Sequence, residues 1–286
     1  MLLFLRPSVL YQLLLHGILS AARSVKRFFI VVKAVPAAPP RLPSGACQHI
    51  SGSSLISVII PSFNEGEKVI KTIESARADA SGNVEVIVAD GGSSDETKAA
   101  AAKAGAKVIE APTGRAACMN AGARVANGDI LIFLHSDTCL PDDWAASVRH
   151  CLRRPEVALA AFTLSFAPQI FGLSVIEWFA NRRARFRSLP WGDQVYCVRR
   201  EVFEALGGYP DQPLLEDVEF VCAARRAGEV VLFRSIVVTS SRRWQVHGVV
   251  ANTLNNQIIL LARELGVPVH RMADWYYGRR PGKRTH

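Results

Sequence analysis

The sequence predicts an α/β fold with a mostly parallel central sheet flanked by helices, and three observations carry that prediction. Short apolar runs rich in Val and Ile recur from residue 55 onward, each closed by Pro, Gly or an acid. A stretch of helical periodicity follows each run. The runs also lack polar alternation, as strands covered on both faces do. Repeated alternation of this kind implies right-handed βαβ units.

Taken in order, LISVIIP (55–61) is the first buried strand and NEGEKVIKTIESARA (64–78) the helix after it. VEVIVADGGSSDETKAAAAKAG (84–105) repeats strand, glycine turn and helix, with Ser93 or Ser94 expected to cap the helix. AKVIEAP (106–112) is a short third strand, RAACMNAGARVAN (115–127) a third helix and DILIFLHSD (129–137) the fourth strand. That strand runs directly into His135, Ser136 and Asp137. Either the loop returns to water and Asp137 caps a turn, or the strand holds a carboxylate where a ligand or metal sits.

Further along, GDQVYCVRREVFEALGGYP (192–210) predicts a strand, a helix and a glycine turn. Its first residues, Gly192, Asp193 and Gln194, are either a simple turn or a ligand contact. PLLEDVEFVCAARRAG (213–228) predicts a helix with Val218, Val221 and Cys222 facing inward and Glu216 and Asp217 in the first turn. FGLSVIEWFANRRARFR (171–187) pairs Phe171, Val175, Trp178 and Phe179 with Arg182, Arg183, Arg185 and Arg187. It reads as a packed helix with a solvated end or as a surface for an anionic or membrane-bound acceptor, and packing is favoured.

Composition bounds the function. The chain has 286 residues, 49% hydrophobic and 21% charged, enough for a sizeable core. Its formal charge of +9 suggests a polyanion partner, but the distribution argues against nucleic acid. Residues 1–54 hold Arg6, Arg23, Lys26, Arg27, Lys33 and Arg41 and no acid, leaving 28 basic against 25 acidic residues in the remainder. This acid-free leader, rich in Leu, Arg and Ser, predicts an organellar transit peptide, plastid or mitochondrial, followed by a proline-rich linker. The alternative is an uncleaved anchor that leaves the protein membrane-associated. The folded unit is therefore expected at 55–286, in two halves at about 55–140 and about 141–278. Cys47, Cys118, Cys139, Cys151, Cys197 and Cys222 form no CxxC pair, which suits buried thiols better than disulfides or zinc.

Ligands of parallel α/β sheets bind at the carboxyl ends of the strands. Three such ends carry acids: Glu65 past the first, Asp90 at the second and Asp137 at the fourth. One acid there is commonly a cap. Three converging on one edge repel each other unless a cation or donor groups offset them.

At these residues the chain resembles the family-2 glycosyltransferases, a group with the GT-A nucleotide-sugar-binding fold. SVIIPSFNE matches the opening strand and P-x-x-N-E turn, and VADGGSSDET the D-G-S-x-D-x-T segment. GRAACMNAGARVANGDILIFLHSDT matches the stretch leading into the D-x-D metal motif, and LGGYPDQPLLEDVEF the G-G-F/Y…E-D acceptor region. The resemblance runs from about Leu55 to Gly278. Its detail is similar to a compact, mostly bacterial subgroup associated with radical-SAM, selenodomain or arsenosugar gene neighbourhoods.

The resemblance implies transfer of a sugar from a nucleoside-diphosphate sugar, UDP-linked, to a small or lipid-type acceptor hydroxyl. It implies an inverting, metal-dependent, non-processive enzyme using manganese or magnesium, with peripheral membrane association open. Pro61 and Glu65 would lie beside the nucleotide, and Asp90 would accept from the base. Arg115 would approach the base or diphosphate with Asn120 nearby, Ser136 would line the donor site, and Asp137 would hold the metal. His247 is a further metal candidate, and Glu216, Arg243 and Trp244 would orient the acceptor. Two acids in a helix's first turn can simply complement its dipole; the resemblance selects Asp217 as general base.

Two departures stand out. D-x-D has become His135-Ser136-Asp137, so the first carboxylate is absent, and Q-x-x-R-W has become Ser240-Ser241-Arg242-Arg243-Trp244, without glutamine. Two other classes stay open: a catalytically silent nucleotide or sugar binder, and a nucleotidyltransferase on the same kind of sheet. The latter would show a G-x-G-T-R loop where this chain has PSFNEGEK.

Overall fold

A computed structural model of the protein describes residues 50–78 and 82–278. The leader, and with it the transit-peptide expectation, lies outside the described residues apart from its last five positions. Those five already belong to the fold. Ile50 is buried in the main core, and the buried Arg149 donates from Nε to the Ser54 carbonyl at 3.0 Å. The folded unit thus reaches at least to Ile50 rather than beginning at Leu55.

Every residue of β1 (Ile56–Ser62) and the last five of β2 (Val84–Asp90) are buried, which is why their Val and Ile runs need no polar alternation. A 3-10 turn (Gly66–Lys68) leads into α1 (Val69–Arg77), whose buried Val69, Thr72, Ile73 and Ala76 recur at helical spacing. Next come α2 (Thr97–Lys103), β3 (Lys107–Glu110), α3 (Arg115–Val125) and β4 (Ile130–Phe133). Neither Ser93 nor Ser94 caps α2. Glu96 holds the N-cap position without a side-chain bond, Asp95 Oδ1 accepts from the Thr97 N–H at 3.0 Å in an Asx turn, and Ser93 Oγ accepts from the Asn64 N–H at 2.9 Å.

The second half supplies β5 (Thr138–Cys139), α4 (Trp144–Leu152), β6 (Val157–Ala167) and α5 (Leu173–Arg187). A second 3-10 turn (Gly192–Gln194) precedes β7 (Tyr196–Arg199), α6 (Arg200–Ala205), α7 (Glu216–Ala227) and β8 (Glu229–Ser240). The described chain closes with α8 (Arg242–His247), α9 (Val249–Glu264) and α10 (Val269–Tyr276).

The sheet runs β3-β2-β1-β4-β7-β6-β8-β5. The first four strands are parallel, β7 is antiparallel to both β4 and β6, β8 is parallel to β6, and β5 is antiparallel to β8. Strand alternation divides the core. Ile56, Val58, Ile60, Ile130 and Ile132 face α1, α2, α4 and α5, whereas Ile59, Leu131 and Phe133 face α3, α6 and α7. Pro61 fits an interior strand because β4 pairs with β1 only as far as Ile59. Gly122 of α3 sits so close to β1 that a Cβ there would meet Ile59 Cγ2 at 2.4 Å, which is how this helix lies down on the sheet.

One expectation fails on α5. Its apolar face was read as packed, yet Phe171, Val175, Trp178, Phe179 and Phe186 are exposed, and the helix buries Leu173, Ala180 and Ala184 instead. Small residues suffice on the inner side because β6 approaches closely there: the Asn181 amide hydrogen-bonds the Leu164 N–H and carbonyl at 2.8 and 2.9 Å.

Candidate active site

The parallel register brings the carboxyl ends of β1, β2 and β4 to one edge, and with them Glu65, Asp90 and Asp137. Asp90 is buried. Its Oδ1 accepts from the Gly92 and Ser93 N–H groups at 3.0 and 2.8 Å, the Asx turn that a D-G-G-S sequence favours. Its Oδ2 is buried without a partner among the described residues. A buried acceptor left open in this way suits a ligand donor.

The loop after β1 is laced to the loop after β2. Thr97 Oγ1 accepts from the Glu65 and Gly66 N–H groups at 2.9 and 2.8 Å, and the Ser94 N–H bonds Asn64 Oδ1 at 2.9 Å. Arg242, 177 residues away in sequence, grips both Glu65 carboxylate oxygens at 3.1 and 3.0 Å. Asp137 lies nearby, and burial together with the Glu65 charge pushes its carboxyl above the ordinary value, against Arg242. Ser136 is buried, and its carbonyl accepts from Thr72 Oγ1 at 3.0 Å.

These residues accommodate a divalent cation in a limited way. Among the described residues no group of three or more His, Cys, Asp or Glu side chains could hold a metal ion, and His247 is exposed at the end of α8. Asp137 would be a single hard oxygen ligand, its crowding with Glu65 relieved by the cation, with diphosphate and water completing the shell.

The second half of the chain brings another group of acids to β4. Asp217, at the start of α7, accepts from the Gly192 N–H through Oδ2 at 2.9 Å and from the Val218 N–H through Oδ1 at 2.9 Å. Each oxygen keeps a further lone pair. His135 closes on the same glycine: a Cβ on Gly192 would stand 3.1 Å from His135 Nε2 and 3.2 Å from Asp217 Oδ2. Burial, aided by the Arg115 cation and opposed by Asp217, pushes the imidazole down to about 3, so His135 is neutral at physiological pH. Glu216 is buried and ion-paired with Arg115, whereas Asp217 is half-buried. Two non-glycine residues hold this region at positive φ, Leu215 at 62° and Val195 at 59°. For β-branched Val195 that is a strained backbone, the kind that persists at functional sites.

Three expected contacts take another form. The Asn120 amide is used on the Gly-Gly-Tyr turn, bonding the Tyr209 carbonyl at 2.8 Å and N–H at 3.0 Å, so it ties α3 to the second half of the chain rather than lining the nucleotide. The Trp244 ring is buried edge-on against Phe166 at 5.7 Å, where it packs the core instead of meeting an acceptor. Arg243 stacks on Tyr276 at 4.4 Å. Linear reading also missed the contact of Arg242 with Glu65 and the burial of polar atoms on Arg183 and Asp193, which influence each other electrostatically without a hydrogen bond between them. Arg183 lies 3.6 Å over the Trp191 ring and donates from Nε to the Leu189 carbonyl at 2.9 Å. No local pattern marks these arrangements.

Asp193 makes a prediction possible. Burial raises its carboxyl to about 6; Arg183 opposes the shift and Asp217 adds to it. A raised carboxyl contributes stability that is full below its unfolded value and is lost as pH rises through the folded value. Measured with chelator present, the unfolding free energy of the protein relative to Asp193→Asn should therefore fall between pH 4 and 6, by up to about 3 kcal/mol. A flat difference across that window overturns the assignment.

A parallel half with acids at its carboxyl edge, joined through an antiparallel strand to a mixed half that delivers a second acid pair, is the architecture of GT-A nucleotide-diphospho-sugar transferases. The solved structures agree. The chain resembles S. aureus TarS (TM-score 0.54, 16% identity, 73% of this chain and 39% of that one). It also resembles the mannosyltransferase PcManGT from Pyrobaculum calidifontis in complex with GDP-Man and Mn2+ (0.53, 18%, 88% and 71%). Likeness at such identities shows the fold. The sequence model described as "Glycosyl transferase family 2" matches residues 57–203, just over half of the chain. The chain belongs to glycosyl transferase family 2.

Among curated relatives, the glucosyl-3-phosphoglycerate synthase of Mycolicibacterium smegmatis is 37% identical over 97 residues, 30% of this chain. An uncharacterized glycosyltransferase of Haemophilus influenzae is 33% identical over 178 residues, 58% of this chain. The chain spans 32% and 60% of the length of these two relatives.

Proposed function

We propose that the protein transfers a sugar from a nucleoside-diphosphate sugar to an acceptor hydroxyl, in one inverting displacement with Asp217 as general base. The observation that carries this reading is the meeting of His135, Gly192 and Asp217. It brings the one solvent-reachable acid of the pair against the strand end that also bears Asp137. Asp90, with its open Oδ2, would accept from the nucleobase. Glu216 would fix Arg115 toward the diphosphate. The Gly192–Gln194 turn would hold the donor sugar beside the base. A divalent cation bound at Asp137 would supply charge neutralisation of the leaving diphosphate. The solved relatives in complex with GDP-Man and Mn2+, or with UDP and Mn2+, support that choice of donor class and ion.

Thermal unfolding with UDP-, GDP- and dTDP-sugars, each with and without manganese, tests the reading. At a hundredfold excess over Kd, the cognate donor with manganese should add about 2.7 kcal/mol of stability, or roughly 5–10 °C in Tm. Stabilisation with no sugar transferred and no nucleoside diphosphate released, whichever acceptor is supplied, would identify a silent binder instead.

A further inference from the structure

The solvent face of α5 is an apolar row set among cations. Phe171, just ahead of the helix, is 102% exposed, and Trp178 and Phe186 are 55% and 68% exposed. Val175, Trp178, Phe179, Arg182 and Phe186 follow one another on a single helical face. The Arg182 guanidinium lies between two rings, 5.2 Å from Trp178 and 4.8 Å from Phe186. Arg185 and Arg187 are also exposed, and Arg187 joins Trp178, Phe179, Arg182, Arg183 and Phe186 in lining a cavity of about 440 Å³. The helix's one acid, Glu177, turns inward and accepts from the Phe166 N–H at 2.6 Å. A second exposed row, Val250, Leu254 and Ile258 of α9, starts where Gly172 approaches Val249. Single exposed apolar residues are ordinary on a protein surface, whereas a contiguous aromatic row is not.

We infer that this face docks on an anionic lipid surface. Trp and Phe settle at the headgroup boundary, arginine stems lie along apolar surface while their charges reach phosphate, and each cation strengthens binding about fivefold. Charge complementarity selects this occupant. A second copy would bring the same arginines, and the first 49 residues carry six basic and no acidic side chains, so both would be repelled. Among the described residues no helix is long and apolar enough to cross a membrane, which leaves contact along the surface. The docked helix would back onto the reaction centre, because Arg183 stacks on Trp191 and the next residue, Gly192, is bonded to Asp217. The surface itself does not depend on the sugar-transfer reading.

The test is cosedimentation of the full chain with vesicles of phosphatidylcholine alone or with one third phosphatidylglycerol, alongside tryptophan emission. Binding should require phosphatidylglycerol and weaken with salt. The combined Arg182→Gln, Arg185→Gln and Arg187→Gln variant should bind about a hundredfold less tightly. Trp178→Phe should remove most of the vesicle-induced blue shift. Unchanged melting would show that both variants, altered only at exposed positions, remain folded. An arginine variant that binds like the unaltered chain, or a Trp178→Phe chain that keeps the full blue shift, would place the contact on another segment and overturn the inference. Equal binding to neutral vesicles, or a change of oligomeric state in the arginine variant, would do the same.

Discussion

Replacing Asp217 with asparagine should lower turnover by about two to four orders of magnitude while leaving donor affinity nearly unchanged. The substitution keeps the side chain's size and its bond from the Gly192 N–H, which an amide oxygen can still accept, and gives up the bond from the Val218 N–H. It removes the capacity to take a proton, and a positioned base is worth about that much. On the proposed reading the nucleotide is held from the other side of the cleft, by Asp90 and Asp137, and the Gly192 turn keeps its bond to residue 217, so binding and turnover should separate. Glu216→Gln should also reduce turnover, by a different route. It removes the charge partner of Arg115, so donor affinity should fall with it. The product anomer should be opposite to the donor's, because one base and one displacement leave no covalent intermediate. Retained configuration, or near-normal turnover in Asp217→Asn, would sink the assignment.

The second large effect is expected at Asp137. Asp137→Ala should eliminate the manganese dependence of nucleotide binding, because the proposed reading gives the ion this one carboxylate as its protein ligand. His135→Ala should weaken binding less. His135 is neutral and set against Gly192 and Asp217, so its loss loosens the wall of the site and leaves the anionic oxygen of Asp137 intact. Calorimetric titration of UDP with and without manganese separates these outcomes. Undiminished metal dependence in Asp137→Ala would show that the cation is held elsewhere.

The legible part of the site lies where chemistry and sequence neighbours coincide. Asp90 forms its Asx turn with residues two and three positions on, and Asp137 follows a strand whose burial the apolar run announces. The illegible part depends on distant pairings. Arg242 reaches Glu65 across 177 residues, and Arg115 reaches Glu216 across 101. Trp244 sits in a motif that suggested acceptor contact, yet it fills the core beneath it. The arginine-rich end of α5 divides in a way that helical periodicity alone does not reveal, since Arg182 faces solvent and Arg183 the site.

By itself, then, the sequence determined the α/β class, the order of the parallel half and the acids at its strand ends. Each of these follows from local rules: two-sided burial of short apolar runs, crossover handedness and turn chemistry. Only the tertiary structure decided that β7 enters antiparallel beside β4, that His135 meets Asp217 over Gly192, and that the aromatic row of α5 faces outward. The physical reason is that burial is a property of the packed whole. An apolar helical face needs a partner surface to be core, and on α5 that partner is supplied only to the side bearing Leu173, Ala180 and Ala184.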